Sequence, residues 1–554
     1  MTQTPAQFGF RGAFREDTPA RAVYSEAAGI AQIVPRAVAV PMDADDAAVL
    51  VRWAAATRTS LVPRGSGSSM AGGAIGEGVV VDLSRIAAME RVKVAERTIR
   101  CGPGALRDAI DAAAREVGLH FPIDPSSGAF CTVGGMASTN ASGAHSLRYG
   151  STRRWIEALD CVFSDGTRAE LRRGVPAPEL DAVLQAQRAL APLVAAERLT
   201  PSRHVGVRKE SSGYGLAEFA HTGELIDLIA GSEGTLVLIV GLELRLAPLL
   251  PCTASLLGAF ATIESAVLAA GAARDAGASA CELLDRTFLD VARRGGATVP
   301  APMDAESVLL VEVEASTPDD ATAQARAIET VFRTAGATAV RLALDPDTER
   351  ALWELRHAAS PILSRLDPAL KSMQFIEDGC VPPSALPDYV RGVRAALDRQ
   401  DIRGVIFGHA GDAHVHVNPL VDVREPDWRA RVEALLDEVT ALAASLGGTI
   451  SGEHGDGRLR APLLPRLWSA ATLERFAEAK RAFDPQGIMN PGAKLASAGA
   501  RAVDRVKYDP ALPALPEIAR AALDTIERER AYARSRLELL DEPAPRLDAR
   551  TSDV

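Results

Sequence analysis

Short apolar runs alternate with amphipathic stretches along the first half of the chain. PRAVAVP (Pro35–Pro41) and LVPRG from Leu61 read as strands, and DADDAAVLVRWAAAT between them reads as a helix capped by Asp43 with acidic residues in its first turn. VVVDLSRI follows as a strand ending near Ile86, and VLIVGLELRL reads as another before a proline-marked corner at Pro248–Pro251. Beyond the corner, strands (SLLGAFA, SVLLVEVEA, ATAVRLAL, SMQFIED, GVIFGHA) alternate with alanine-rich helices (IESAVLAAGAARDAG, DDATAQARAIETVFRTAG). This interleaving predicts an α+β domain with helices packed on one side of an antiparallel sheet. From Asp427 an amphipathic helix runs to Gly447-Gly448, and LERFAEAKRAFDP forms a further helix. After Ala496, Pro510, Pro513 and Pro516 mark a linker; PEIARAALDTIERERAYARSRLELL then predicts one charged helix packing on the body or on a partner, and the last ten or so residues read as a disordered tail.

With 554 residues the chain is too long for one ordinary core, and two large domains are expected. The pattern divides it into a lead-in (1–34), a first domain (35–250), a second (251–450), a segment from 451 to 496, and a linker, charged helix and tail (497–554). The formal charge of -11 argues against general nucleic-acid binding, so an anionic substrate must be held by local positive charge. The six cysteines are scattered without a CxxC, which predicts buried thiols rather than a disulfide frame or an iron–sulfur motif. No apolar run is long enough to span a bilayer and the N-terminus lacks a signal-peptide core; a cytoplasmic protein, with peripheral membrane contact left open, is the expectation.

Of nine histidines, three (His409, His414, His416) fall in GHAGDAHVHVNP (Gly408–Pro419), and His454 lies in a second glycine-rich turn, SGEHGDGR (Ser451–Arg458). His414 and His416 alternate with Val415 and Val417, a strand pattern that puts both imidazoles on one face. Beside a carboxylate such as Glu453 they suit a divalent metal; the alternative is two polar turns with hydrogen-bonded histidines. Three loops are dense in small residues: RGSGSSMAGG from Arg64, DPSSGAFCTVGGMASTNASGAHSLRYG (Asp124–Gly150) and GSEGTL (Gly231–Leu236). Glycine-rich backbone presents N–H groups to phosphate and lies close against a flat, extended ligand, so the three loops together read as one dinucleotide cradle.

These motifs, in this order, resemble the FAD-linked oxidases of the vanillyl-alcohol oxidase type, and within them the D-2-hydroxy-acid dehydrogenases. The motifs are PRGSGSSMAGG, CTVGGMASTNASG, GSEGTL, GHAGDAHVHVNP, SGEHGDG and FDPQGIMNPG, spanning roughly residues 35 to 496. The resemblance implies a two-lobed FAD-binding domain with two α/β lobes, a cap domain built on an antiparallel sheet covered by helices, and a segment near 451–496 that returns to the site. It implies Arg64, Gly65, Ser66, Gly67, Ser68 and Ser69 around the FAD pyrophosphate. Ser127, Thr132, Gly134, Gly135, Ser138, Asn140 and Gly143 would line the cofactor, and Glu233, Gly234 and Asn490 would complete its surroundings. It further implies zinc or manganese on His409, His416 and Glu453, His454 as base, and Arg356 and Asn418 as substrate contacts. The first loop carries no histidine of the kind that tethers FAD covalently, so non-covalent FAD is expected. His414 stands where the family commonly has Asn and Ala413 where it has Gly, which leaves the role of His414 open. FIEDGCVPP is similar to a segment of long relatives that carry an iron–sulfur domain, but no cysteine follows Cys380. The electron acceptor would then be quinone, a cytochrome, a flavoprotein or a separate iron–sulfur subunit, and a homo-oligomer is open.

The chemistry so implied is oxidation of a small D-2-hydroxy acid, D-lactate-like, to the 2-oxo acid. A metal would lower the hydroxyl pKa, His454 would take the proton, FAD would supply the redox chemistry and Arg356 would clamp the carboxylate. Counting forward from Arg356 puts Lys371 near the second-carboxylate lysine of the hydroxyglutarate enzymes, whereas counting back from Pro382 puts Ile376 there.

Overall fold

The computed structural model describes residues 3–364 and 370–541. The first lobe contains β1 (Ala13–Arg15), β2 (Ala37–Val40), α1 (Ala44–Thr57), β3 (Leu61–Arg64) and β4 (Val79–Asp82). Its sheet runs β1-β2-β4-β3, with β2 and β3 both parallel to β4 and β1 antiparallel at the edge. The lead-in is therefore part of this sheet. β2 and β4 are buried along their whole length, as parallel strands covered on both faces must be. Asp43 caps α1 by accepting from the Asp46 N–H.

The second lobe holds β5 (Thr98–Cys101), α2 (Val133–Thr139), β6 (Ile156–Val162), β7 (Arg168–Arg172), α3 (Asp181–Leu199) and β8 (Leu238–Arg245). Its sheet, β5-β8-β6-β7, is antiparallel throughout rather than the α/β layer expected. The reason is length: β6 and β7 are joined by a hairpin turn at Ser164–Thr167, too short for a crossover helix.

The cap comprises β9 (Cys252–Phe260), α4 (Ile263–Asp275), β10 (Ala280–Asp285), β11 (Ser307–Ala315), α5 (Pro318–Thr334), β12 (Ala339–Ala343), α6 (Pro346–Ser364), β13 (Leu370–Ser372), α7 (Leu386–Arg399), β14 (Arg403–His409), β15 (His414–Asp422) and α8 (Trp428–Ser445). The strands form one antiparallel sheet in the order β12-β9-β11-β10-β14-β15-β13. Leu256 and Leu257 of β9 enter different apolar clusters, so helices cover this sheet on both faces and not on the one side expected. One cluster joins α4, α5, α7 and α8; the other joins α6 and the short helix Arg286–Arg294. Two strand expectations change. ACELLD forms β10 although its pattern did not announce a strand, and the SMQFIED strand stops at Ser372, leaving residues 373–378 as a loop.

The C-terminal part carries α9 (Ala470–Phe483), α10 (Glu517–Glu529) and α11 (Arg536–Asp541). The single charged helix expected here is two, because Arg530 adopts a left-handed conformation and ends α10. Both helices pack on the body: Ala519, Ala522, Leu523, Ile526, Leu539 and Leu540 share a core with Tyr24, Val38, Val62 and Val80 of the first lobe. The expected tail lies outside the described residues. Five cysteines are buried and Cys252 partly so, all as free thiols. No helix among the described residues is long and apolar enough to cross a membrane.

Candidate active site

Sheet register builds the centre of the site. Glu282 pairs with His409, His409 with His414, Phe407 with His416 and Val405 with Asn418. Directly paired residues share a face, so β10, β14 and β15 bring Glu282, His409, His414, His416 and Asn418 to one side of the sheet. Onto it folds the turn at Ser451–Gly457, held by Asp378, whose carboxylate accepts from the N–H groups of Glu453 (3.1 Å) and His454 (2.9 Å). Arg460, buried, pairs with both Glu377 and Asp378.

Three donor atoms converge. His409 Nε2 and His416 Nε2 are 3.4 Å apart, and each lies 3.3 Å from Glu453 Oε1. Atoms bound to one ion at about 2.0–2.2 Å stand roughly 3–3.5 Å from each other, so this spacing fits a divalent metal. The far sides of the rings are fixed as such a site requires. His409 Nδ1 donates to Glu282 Oε1 (2.5 Å), and His416 Nδ1 donates to the Glu377 carbonyl (2.7 Å), which turns both Nε2 atoms toward Glu453, where each can offer a lone pair once it carries no proton. The other carboxylate oxygen, Oε2, is taken by Lys209 Nζ and Ser142 Oγ, each at 2.7 Å. Glu453 thus offers a single oxygen.

Charge follows this wiring. Burial by itself would lower His409, but the Glu282 carboxylate outweighs it and raises the imidazole to about 9. Burial opposes ionisation of Glu453, yet Lys209 and His409 hold it well below the usual carboxylate range. His454 is raised by Asp378 and Glu377 against the cost of burial. Its ring stacks on His416 at 5.4 Å between centroids, and its Nε2 lies 3.9 Å from Glu453 Oε1. His414, fully buried, gives Nε2 to Asp378 Oδ1 at 2.8 Å, and burial followed by the neighbouring His416 pushes it down to about 3. It braces the turn from beneath: a Cβ on Gly452 would meet its ring at 2.6 Å.

Arg356 reaches the site from α6. Its Nε donates to Glu282 Oε2 at 2.6 Å and its guanidinium lies over the Phe407 ring, so it stands beside the carboxylate that holds His409. Lys371 does not reach it. Lys371 pairs with Val421, which places it on the opposite face from His414, His416 and Asn418, and its ammonium lies over Tyr508. Ile376 instead directly precedes Glu377.

The three small-residue loops meet at the junction of the lobes. A Cβ on Gly65 would strike Thr132 Oγ1, one on Gly134 would strike Pro103, and one on Gly143 would strike Asp124. Gly135 follows at the start of α2, while Ser127 closes a turn by accepting from the N–H groups of Phe130 and Cys131. Glu233 N–H donates to the Ser138 carbonyl, joining the third loop to the second. Asn490 Nδ2 donates to the carbonyls of Gly73 (3.0 Å) and Glu233 (2.7 Å), tying in the first loop and the returning segment. Gly67, Gly234 and Asn140 sit at φ 74°, 68° and 53°, the left-handed turns that let the loops approach. Within the first loop Ser66 and Ser68 share a hydrogen bond, and the buried Ser69 hydroxyl has no partner among the described residues. These close-packed loops with an unpartnered hydroxyl fit a dinucleotide.

Two side chains expected around the cofactor hold the loops themselves in place. Arg64 gives its guanidinium to the carbonyls of Glu26, Tyr24 and Ala74, bracing the loop against the lead-in. The Glu233 carboxylate accepts from the N–H groups of Asp456 and Gly457 and pairs with Lys494, anchoring the histidine turn. Lys209 and Ser142 join the two halves: Lys209 also donates to the Gly143 carbonyl, so the second loop lies directly against Glu453.

Comparison with known proteins agrees with this geometry. Residues 35–172 match the FAD binding domain and residues 252–493 the C-terminal domain of the FAD linked oxidases. The chain is 29% identical over 485 residues to the glycolate oxidase subunit GlcD of Bacillus subtilis, covering 86% of this chain and 93% of that one. It is 28% identical over 470 residues to a D-lactate dehydrogenase of Archaeoglobus fulgidus (83% and 92% covered). It is 30% identical over 517 residues to a D-2-hydroxyglutarate dehydrogenase of Pseudomonas putida (87% of this chain, 50% of the relative). In fold it resembles the 4-ethylphenol oxidase of Gulosibacter chungangensis, with a TM-score of 0.62 at 16% identity over 87% of this chain and 94% of the other. Cofactor loops, cap and histidine turn thus belong to one enzyme architecture, and the chain is a member of the FAD-linked oxidases, an FAD-dependent oxidoreductase.

Proposed function

We propose that this enzyme oxidises a short D-2-hydroxy acid, D-lactate-like and with one carboxylate, to the 2-oxo acid, using non-covalent FAD and a divalent metal, zinc or manganese. The observation that carries the reading is the convergence of His409 Nε2, His416 Nε2 and Glu453 Oε1 within 3.4 Å, next to a flavin loop and with His454 at the open side. When bound, the metal supplies Lewis acidity toward the hydroxy acid and FAD takes up the two electrons of the oxidation.

The remaining work falls to the chain. His409, His416 and Glu453 present one atom each, and Lys209 with Ser142 prevents Glu453 from chelating through both oxygens. His454, held by Glu377 and Asp378, accepts the hydroxyl proton at Nε2. Arg356 and Asn418 orient the substrate carboxylate from the edge of the same face. The restriction to one carboxylate rests on Lys371 facing away from the histidines while Ile376 adjoins Glu377.

The test is anaerobic addition of D-lactate, D-2-hydroxyglutarate and their L-isomers to the purified holoenzyme. Bleaching of the flavin band at about 450 nm by D-lactate, lost on chelation and restored by zinc or manganese, is expected. A band that no D-2-hydroxy acid bleaches in metal-replete enzyme overturns the reading. A second reading, D-2-hydroxyglutarate dehydrogenase, is favoured by the relative of that name and predicts preferential bleaching by the dicarboxylate. The GlcD relatives are named as subunits, which favours a partner as the route for electrons onward to quinone, a cytochrome, a flavoprotein or an iron–sulfur subunit.

A further inference from the structure

The two family domains end at residue 493, yet the segment beyond them reaches the cofactor loops. Arg536, 3% exposed, donates through Nη2 to the Ser66 carbonyl in the middle of the first loop (3.1 Å). Tyr532 packs on Phe130 of the second loop with the rings tilted by 30° and their centroids 5.3 Å apart, and Arg530 lies over the same ring. The connection between α10 and α11, with Arg536 at the start of α11, thus bridges both loops. It is held there by the shared apolar core and by Arg520 on Glu26 and Lys507 on Glu527, both at 2.8 Å.

Charge around the first loop does not balance. The buried Arg64 and Arg536 flank it, and Asp82 is the buried carboxylate that acts on both; Glu26 and Glu527 are engaged with Arg520 and Lys507. Nε and Nη1 of Arg536 have no hydrogen-bond partner among the described residues, and neither has Nε of Arg64. Burial, and next the positive charge of Arg64, push the Arg536 guanidinium down to about 9, the behaviour of a cation short of anions. An uncompensated buried charge is costly, and the loop it touches is the one whose backbone suits a phosphate.

We propose that Arg536 provides counter-charge to the diphosphate of FAD at the Gly65–Ser69 loop, so that residues 517–541, outside both family domains, are part of the cofactor site. The inference rests on FAD binding and not on the substrate reading.

The test uses the full-length apoenzyme and measures binding of FAD and of riboflavin, which has no phosphate, by flavin fluorescence. Arg536→Gln keeps a donor for the Ser66 carbonyl and removes the charge; it is expected to weaken FAD by roughly 10- to 100-fold and riboflavin hardly at all. Arg536→Lys keeps the charge and is expected to stay within about threefold of the parent for FAD. Equal FAD affinity in the parent and Arg536→Gln would overturn the proposal, as would equal losses for FAD and riboflavin, the mark of a merely structural arginine. Should Arg536→Gln fail to fold, inorganic pyrophosphate added to the parent apoenzyme decides. Thermal stabilisation and competition with FAD support the proposal, and the absence of both sinks it.

Discussion

Lys209 and Glu453 are 244 positions apart, buried together, and joined Nζ to Oε2 at 2.7 Å. Their pairing couples the FAD-binding half to the His409, His416 and Glu453 cluster and decides which oxygen of Glu453 faces the two imidazoles. Removing one partner of a buried pair strands the other charge, at a cost of about 3 kcal/mol. Lys209→Met is therefore expected to lower the melting temperature of metal-free protein. Bound zinc would neutralise the stranded carboxylate, so the stabilisation by zinc should be larger in the variant than in the parent. Thermal melts with chelator and with zinc check this; an unchanged metal-free melt counts against the pairing.

The His409–Glu282 contact makes stability and metal binding depend on pH in opposite senses. His409 titrates at about 9 in the fold against an ordinary value near 6.5. A raised imidazole contributes stability that is complete below about 6.5 and is lost as pH rises through about 9. Metal-free protein should thus melt at progressively lower temperature between about pH 6.5 and 9 from this group. Metal must displace the proton on Nε2, so zinc affinity should rise by up to about tenfold per pH unit over the same window. Glu282→Gln removes the cause of the shift and should flatten both trends. Calorimetric titration at four or five pH values is the measurement.

Arg356 raises a question of role that kinetics can answer. Its Nε is on Glu282, so it can orient His409 through that carboxylate or clamp the substrate with its remaining N–H groups. A clamp predicts that Arg356→Met raises KM by roughly 10- to 100-fold with metal affinity little changed. A purely orienting role predicts weaker metal binding and a KM close to that of the parent. Substrate titration in excess zinc, together with metal titration of the same variant, separates the two.

Much of this site was legible from local pattern. The alternation of His414 and His416 with valines fixed their shared face, and the small-residue loops announced close approach. What local pattern did not carry was register. Glu282 lies on β10, whose ACELLD sequence is short and lacks the apolar–polar alternation of a strand, and it becomes a partner of His409 only through the β10–β14 pairing. Lys209 sits in a loop with no periodicity, and its role comes from a contact across the whole chain. Lys371 shows the same lesson in reverse: counting along the chain brought it near the site, while its pairing with Val421 turns it to the other face. The charged stretch of the C-terminal part reads as one helix because a left-handed arginine, unlike glycine, leaves no sequence signal for a helix end.

His454 is the group whose removal should touch chemistry and little else. It is the most exposed of the clustered histidines, and its backbone N–H is already held by Asp378 whatever its side chain. His454→Asn should therefore keep FAD and metal content and fold normally. A lost general base costs about 10²- to 10⁴-fold in kcat, with substrate binding less affected. Asp378 and Glu377 raise the imidazole above its ordinary value against the cost of burial, and only the neutral form accepts a proton. In the parent, kcat/KM should accordingly rise with pH along a limb centred above about 6.5. Glu377→Gln removes one of the charges that hold the proton on, so the limb should move to lower pH. In His454→Asn the limb should vanish. Flavin reduction rates measured by stopped flow across pH give all three results, and a limb that persists in His454→Asn assigns the base elsewhere.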